Sequence, residues 1–336
     1  MEKKGYRFTV VNRDSEMINQ LLDFYHIQHI VRNPRPNKKG TFASLLNLAK
    51  MIGYCIKASL KFKPDIYLGF GSSACAITSF LFRKPCILID DTEHNAMNHR
   101  LYKPFCSVVL TPFYFKKNLG KKQLRFNAYV EQLYLHSRYF SPNTEVLSEL
   151  GLKPGEYALI RYITYDAHHD LATQPLPEDY KKTVAISLSK KLRVVLSHEN
   201  KNCDKDYLPF MLKFSPEKIH DVEAGTKFVI SEGATMASEA FVLGVPYVYI
   251  NPLRVGNVDY QTENYPQRAQ QGFTPNDVDN AIERIAQSAI DSDTARRNLE
   301  QHTIDPTAML VWFVEKYPDS VQMMRENPNN IYWSAP

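Results

Sequence analysis

A turn between an apolar run and a helical pattern carries the clearest chemical signal in the sequence. Gly233, Ala234 and Thr235 follow the apolar residues 228–230, and Glu239 comes one helical turn later. The first N–H groups of a helix have no partner inside the helix and carry partial positive charge, which suits a diphosphate. A carboxylate one turn later could accept hydrogen bonds from a ribose diol. The alternative is that Thr235 only caps the helix and that Glu239 is a solvated surface residue.

A second group of polar residues directly follows the apolar run 86–89. It includes Asp91, Glu93 and His94. Acidic side chains and a histidine at the carboxyl end of a parallel strand are typical of acid–base groups or ligand contacts. A divalent metal is a weaker interpretation, because adjacent loop residues rarely point at one ion. Asp91 could also simply cap the next helix.

A third polar loop follows the apolar run 157–162 and contains His168, His169 and Asp170. A histidine beside a carboxylate can have its tautomer and basicity set by that neighbour. A polar loop with incidental histidines is the alternative. A metal site is only weakly indicated, since no further ligand follows at helical spacing.

Two basic stretches could contact anionic partners. The amphipathic stretch 41–63 carries lysines beside apolar residues and could lie on an anionic membrane surface. Such a helix more often covers a sheet and keeps its basic face in water. The lysines and the arginine within residues 116–125 could attract a phosphate-bearing acceptor, and a solvated surface is the alternative.

Parallel strands are needed to position these loops. Short β-branched runs alternate with helical patterns along most of the chain, which predicts parallel sheets covered by helices on both faces. A length of 336 residues suggests two domains. Turn residues after Phe140 place the boundary there. We therefore expect a Rossmann-like domain in residues 1–140 and a second one, ending in helices, in residues 141–336.

The start of the chain is unusual for a doubly wound domain. A strand pattern begins at Tyr6, before any complete strand–helix unit. We expect the first domain to lack its opening strand–helix unit.

Composition narrows the class of protein. Apolar residues make up 44% and charged residues 23%, which excludes a disordered, collagen-like or coiled-coil chain. The net charge of +5 permits an anionic ligand but does not imply nucleic acid. The five cysteines lack CxxC spacing, so neither a disulfide framework nor a structural zinc site is expected. With no apolar signal segment at the start, we expect a cytoplasmic protein.

Several motifs, in order, resemble one family. They are PDIYLGFGSS, ILIDDTEH with NHRL, VVLTPFYFKKNLGKKQLRFNAY, YDAHHD and SEGATMASEAFVLGVP. Together they resemble the domain of unknown function 354, from about Gly5 to Arg268. This family is similar to UDP-N-acetylglucosamine 2-epimerases and, more distantly, to GT-B glycosyltransferases of the peptidoglycan type.

The resemblance implies a GT-B architecture, with two Rossmann-like domains facing a central cleft and the nucleotide sugar held mainly by the second. It implies that Gly233, with Ala234 and Thr235, binds the phosphates and that Glu239 binds the ribose. The UDP portion would also contact the loop of His168, His169 and Asp170. By the same resemblance, Asp91, Glu93 and Arg100 are candidates for sugar or acid–base contacts.

The function expected from these features is a glycosyltransferase-like enzyme that uses a nucleoside-diphosphate sugar, with UDP favoured, in cell-surface glycan synthesis. Asp91 or His169 would act as base on a glycan or lipid-linked acceptor. No metal or other cofactor is expected, because helix N-termini and basic side chains neutralise the leaving diphosphate. Peripheral contact with the inner face of the membrane is compatible with this expectation. The alternatives are an epimerase-like isomerase and a nucleotide-sugar-binding protein without catalysis.

Overall fold

The computed structural model describes residues 5–32, 41–164, 175–200 and 203–326, and the chain divides into two compact units. Unit 1 contains Met1–Phe126 and the segment that begins at Leu310, whereas unit 2 contains Asn127–Met309. The sequence placed the boundary near residue 140 and left the C-terminal helices in the second domain. In the structure the last helix returns to unit 1, where the Arg325 guanidinium donates to the Lys121 carbonyl at 2.8 Å.

Unit 1 is built on parallel strands. Two of them form a small separate sheet, and four form a sheet in the order β3-β4-β5-β6. The strands are β1 (Val10–Arg13), β2 (His29–Arg32), β3 (Tyr67–Phe70), β4 (Cys86–Ile89), β5 (Val108–Pro112) and β6 (Gln123–Phe126). The helices are α1 (Glu16–Phe24), α2 (Thr41–Phe62), α3 (Ser73–Leu81), α4 (Ala96–Tyr102) and, at the end of the described chain, α14 (Asp319–Glu326).

The central strands of unit 1 are apolar because helices or loops cover them on both faces. Every residue of β5 is buried, and so are the first three residues of β4. Leu88 and Val109 from these strands share a core with Tyr102 of α4 and with Phe115. This packing fixes the loops at the carboxyl ends of β4 and β5.

Unit 2 contains a five-stranded parallel sheet in the order β11-β10-β9-β7-β8. Its strands are β7 (Tyr157–Tyr162), β8 (Arg193–His198), β9 (Phe228–Ser231), β10 (Tyr247–Tyr249) and β11 (Ala269–Gln271). Its helices are α5 (Gln132–Leu135), α6 (Thr144–Glu149), α7 (Glu178–Ser189), α8 (Ile219–Ala224), α9 (Ala234–Val242), α10 (Gly256–Asn264), α11 (Pro275–Ala286), α12 (Ser292–His302) and α13 (Pro306–Glu315), of which α13 continues into unit 1. Lys205–Phe210 and Pro216–Lys218 are short 3-10 helices.

Gly244 shows why the turn between α9 and β10 needs glycine. Its φ is +85°, in the left-handed region that other residues rarely adopt. A Cβ at this position would lie 1.9 Å from the Ser292 carbonyl oxygen. The start of α12 therefore packs directly on the backbone of this turn.

The prediction of an α/β fold with parallel sheets is confirmed, since every strand pair in the described sheets is parallel. Across the described ranges, no helix combines the length and the apolar character that crossing a bilayer requires.

Candidate functional site

The turn after β9 presents the start of α9 at the carboxyl edge of the unit 2 sheet. Gly233 is the N-cap residue and has no side chain with which to occupy the first N–H groups of the helix. Ala234 is half-buried and Thr235 is exposed. The idea that Thr235 caps the helix is wrong, because it lies inside the first turn. The Gly233 amide donates to the Ser231 hydroxyl at 3.0 Å. The amides of Ala234 and Thr235, in the first turn of the helix, are placed to bind an anion.

Glu232 fixes this turn to the neighbouring strands. Its side chain is fully buried, and its Oε2 accepts from the Ile163 amide at 2.9 Å, just past the end of β7. Its Oε1 lies 3.2 Å from the Nζ of Lys181, which is also buried. The Asn251 side-chain amide, after β10, donates to the Glu232 carbonyl at 3.0 Å. Contacts from the end of β7, from α7 and from the segment after β10 thus hold the turn in place.

Glu239 lies inside unit 2, with 9% of its surface exposed, so it is not a solvated surface residue. Its Oε1 accepts from the Tyr134 hydroxyl at 2.8 Å and lies 3.1 Å from the His220 Nε2. Although Tyr134 is 40% exposed, desolvation of its hydroxyl, followed by the charge of Glu239, raises the pKa of the phenol above its ordinary value. Tyr134 therefore remains a hydrogen-bond donor, and it fixes one oxygen of the Glu239 carboxylate.

Glu223 of α8 faces the same group of residues. Its side chain is fully buried, and neither carboxylate oxygen has a hydrogen-bond partner among the described residues. Burial, together with the charges of Glu239 and Glu131, raises the pKa of Glu223 well above its usual range, and the Ala240 amide acts in the opposite direction. Ligand atoms of His220, Glu223 and Glu239 all lie within 4.8 Å of one another.

We call His220, Glu223 and Glu239 the α8–α9 cluster. Neither His220 nor Glu223 was predicted as a site residue from the sequence. Both lie in a segment, IHDVEAG, whose pattern is that of an ordinary amphipathic helix. They approach Glu239 only because α8 and α9 pack together, and no spacing within one element signals that contact.

The loop after β4 in unit 1 separates its acidic residues into different environments. Asp90 is buried and accepts from the Tyr102 hydroxyl at 2.6 Å and from the Thr92 amide at 2.8 Å. Its Oδ2 also lies 3.4 Å from the His99 Nε2. These partners satisfy the Asp90 carboxylate, so this residue holds the loop in place.

Asp91 lies in a more open environment than Asp90. It is half-buried, and its Oδ1 accepts from the Thr92 hydroxyl at 3.1 Å. Burial raises the pKa of Asp91 to about 6, and the charges of Asp90 and Glu93 act in the same direction. A carboxyl group that titrates near neutral pH can take up and release a proton. The alternative that Asp91 caps α4 is wrong, because Asn95 is the N-cap residue.

Glu93 and Arg100 are placed differently from Asp91. Glu93 is buried and accepts from the Lys116 amide, which ties the loop after β4 to the loop after β5. Arg100 is exposed and lines a cavity of about 410 Å³ together with Lys103 and Lys117, whereas Asp91 is not among the lining residues. The structure therefore does not gather Asp91, Glu93 and Arg100 around one point.

His168, His169 and Asp170 lie outside the described residues. Their expected contacts with the UDP portion of a ligand stay predictions.

Solved structures of known proteins share this fold. A candidate UDP-N-acetylglucosamine 2-epimerase from Listeria monocytogenes aligns with 95% of this chain and 91% of its own, with 14% identity and a TM-score of 0.67. The UDP-GlcNAc 2-epimerase from Neisseria meningitidis, bound to UDP-GlcNAc, covers 90% of this chain and 89% of its own, at 15% identity and a TM-score of 0.63.

The glycotransferase of kitacinnamycin is also similar, covering 94% of this chain and 92% of its own at 12% identity and a TM-score of 0.58. At these identities the similarity shows the fold, which is that of epimerases and glycosyltransferases of the GT-B type. The sequence itself carries the family assignment. The model of the family described as "Protein of unknown function (DUF354)" matches residues 1–319, and the chain therefore belongs to the DUF354 family.

Proposed function

We propose that this protein binds a nucleoside-diphosphate sugar, with UDP as the nucleotide, and transfers the sugar to a hydroxyl of a glycan or lipid-linked acceptor in cell-surface glycan synthesis. The observation that carries the proposal is the start of α9, whose amides lie in a fixed turn at the carboxyl edge of a parallel sheet. Ligands of open α/β sheets bind at this edge. UDP-GlcNAc in the Neisseria meningitidis epimerase of the same fold supports the choice of ligand.

In this proposal the diphosphate binds the amides of Ala234 and Thr235, and it replaces the Ser231 hydroxyl as the acceptor of the Gly233 amide. Backbone amides at a helix start carry partial positive charge, so no charged side chain has to be desolvated when the diphosphate binds. When the bond from the sugar to the diphosphate breaks, negative charge grows on the leaving oxygen. Fixed amides stabilise that charge without reorganising, so no metal is required for departure.

Glu239 is proposed to bind the ribose. Tyr134 and His220 both contact Oε1, which leaves Oε2 to accept a hydrogen bond from a ribose hydroxyl. Tyr134 holds the carboxylate in one orientation, and this lowers the entropy lost when the ligand binds. His168 and Asp170 are proposed as further contacts to the UDP portion, and Glu93 and Arg100 as contacts to the sugar or acceptor.

Asp91 is proposed as the base. With a pKa of about 6 it is deprotonated at neutral pH and still basic enough to accept a proton. The acceptor oxygen would form a bond to the anomeric carbon, its proton would pass to an Asp91 carboxylate oxygen, and the electron pair of the broken bond would leave with UDP. His169 is the other proposed base.

The test is a calorimetric titration with UDP in the presence of EDTA. Glu239→Gln keeps the shape of the side chain but removes its charge, and we expect it to weaken UDP binding roughly tenfold. The matched control is Glu263→Gln, an exposed carboxylate on α10, which should leave the affinity unchanged. Wild-type protein that binds no nucleoside diphosphate would refute the proposal.

A second candidate function is epimerisation at the second carbon of the sugar, which the fold shared with UDP-GlcNAc 2-epimerases favours. This reaction requires removal and return of a proton at that carbon. Incubation of UDP-N-acetylglucosamine alone in deuterated water separates the two functions. An epimerase places deuterium on the sugar, whereas a transferase leaves it unlabelled.

A further inference from the structure

We propose that the α8–α9 cluster, His220, Glu223 and Glu239, binds one divalent transition-metal cation. The inference goes beyond the proposed function, for which no metal is needed. It rests on three observations: three ligand atoms that converge, a buried carboxylate without a hydrogen-bond partner among the described residues, and a crowding of carboxyl groups.

The ligand atoms already have nearly the separation that a single ion requires. One nitrogen of His220 and one oxygen each of Glu223 and Glu239 lie within 4.8 Å of one another, and the His220 Nε2 is 3.1 Å from the Glu239 Oε1. Nitrogen and oxygen ligands bind zinc at about 2.0–2.2 Å, so neighbouring ligands of a tetrahedral site lie roughly 3.3–3.6 Å apart. Small side-chain adjustments would place all three atoms around one ion.

Glu223 supplies the independent observation. It has 0% exposure and points its carboxylate into the cluster, where neither oxygen meets a hydrogen-bond donor among the described residues. A buried polar group normally has a partner, and a buried charge is normally paired or coordinates a metal. A cation between Glu223 and Glu239 would satisfy the two Glu223 oxygens that are otherwise left without a partner.

Several carboxyl groups lie close together in and beside the cluster. Glu131, which is 2% exposed, is close enough for its charge to act on Glu223. In the described part of the chain, no lysine or arginine forms an ion pair with Glu223 or Glu239. A bound divalent cation would favour the charged forms of these carboxyl groups, which burial and mutual repulsion disfavour.

The ligand set indicates the class of metal. One imidazole nitrogen with two carboxylate oxygens is a donor set suited to Zn²⁺, and the imidazole disfavours Mg²⁺, which prefers oxygen ligands and water. His220 is partly exposed, so an ion has a route to the site and can keep water as a fourth ligand. Tyr134 would then act from outside the ligand set, donating to the Glu239 oxygen and orienting it.

The test uses the full chain after removal of metals with EDTA and exchange into chelator-free buffer. Zn²⁺ is added in competition with a chromophoric chelator, without nucleotide, and Mg²⁺ is titrated separately by calorimetry. We expect one Zn²⁺ per chain, held at least roughly tenfold more tightly than Mg²⁺. Since UDP binding is measured with EDTA present, the nucleotide proposal and the metal proposal fail independently.

Two variants test the ligands separately. Glu223→Gln and His220→Ala should each weaken Zn²⁺ binding at least roughly tenfold, because each removes one of three protein ligands. The matched control is His136→Ala, which removes another partly buried histidine of unit 2. Far-ultraviolet circular dichroism verifies that each variant is folded. Less than one Zn²⁺ per wild-type chain, equal affinity for Mg²⁺ and Zn²⁺, or unchanged Zn²⁺ affinity in both ligand variants would overturn the proposal.

Discussion

Lys181 and Glu232 form a buried ion pair at the base of the turn that begins α9. The Lys181 Nζ lies 3.2 Å from the Glu232 Oε1, and the two side chains are 6% and 0% exposed. Lys181 also contacts Glu178 at 2.9 Å. The second Glu232 oxygen holds the Ile163 amide, so the pair connects α7, the end of β7 and the proposed phosphate-binding turn.

Removal of one member of this pair should destabilise unit 2 strongly. In Lys181→Met the buried Glu232 carboxylate would lose the Lys181 ammonium, and we predict a loss of about 3–5 kcal/mol in the free energy of unfolding. The double variant Lys181→Met/Glu232→Gln should recover much of that loss, because the buried carboxylate charge is removed as well. Urea denaturation followed by circular dichroism measures both variants. Exposed ion pairs contribute less than about 1 kcal/mol to stability. A loss within that range for Lys181→Met alone would contradict the prediction.

Asp91 should make stability depend on pH in an unusual direction. Its folded-state pKa of about 6 exceeds the ordinary 3.8, so the folded protein binds this proton more tightly than the unfolded chain does. The contribution of this group to stability therefore falls as pH rises from 3.8 through about 6. Asp91→Asn removes the charge. At pH values above that range, we predict that the variant gains up to about 3 kcal/mol in the free energy of unfolding.

Chemical denaturation of wild type and Asp91→Asn at pH 4 and pH 7.5 tests this prediction. The variant should be more stable than wild type at pH 7.5. This difference in stability should shrink at pH 4, where residue 91 is uncharged in folded wild type as well as in the variant. Asp65→Asn is the control, since the Asp65 side chain is 99% exposed. An advantage of Asp91→Asn that is equal at both pH values would show that desolvation of the charge is not its cause.

Gly244→Ala should be among the most destabilising small substitutions in unit 2. The added Cβ would lie 1.9 Å from the Ser292 carbonyl oxygen, on a backbone with φ +85°. Either α12 must shift or the turn must change conformation, and we predict a cost above about 3 kcal/mol. Gly155→Ala provides the control: its φ is +74° but no atom lies within 4 Å of its Cβ, so only backbone strain of about 1–2 kcal/mol remains. Thermal and urea melts that rank the two variants equally would contradict the steric argument.

The sequence predicts two of the central strands with correct limits. β4 (Cys86–Ile89) and β7 (Tyr157–Tyr162) match their predicted ranges, because both are buried and end at polar loops. β6 and β11 were missed. Their sequences, QLRF and AQQ, contain no apolar run and become strands only by pairing with the buried strands β5 and β10.

The same physical difference separates the predicted from the unpredicted parts of the site. The turn at Gly233 could be predicted because its chemistry depends on neighbours in sequence: a strand end, small residues and a helix start. Lys181 and Glu223 could not, since their importance depends on which helix packs against which strand or helix. Long-range packing of this kind leaves no pattern within either element.

A charge placed in the first turn of α9 should change stability and ligand binding in opposite directions. Thr235 is exposed within that turn. In Thr235→Glu the carboxylate would interact favourably with the positive end of the helix, and we predict a gain of about 0.3–1 kcal/mol in the free energy of unfolding. The same carboxylate would repel a diphosphate and compete for its amides, so UDP affinity should fall at least roughly tenfold.

Thr235→Gln, of similar size and without charge, is the control and should lose much less affinity. Calorimetry at low and moderate salt measures both variants, and the gap between them should narrow as screening increases. Equal UDP affinity for the two variants would show that the phosphates bind away from this turn.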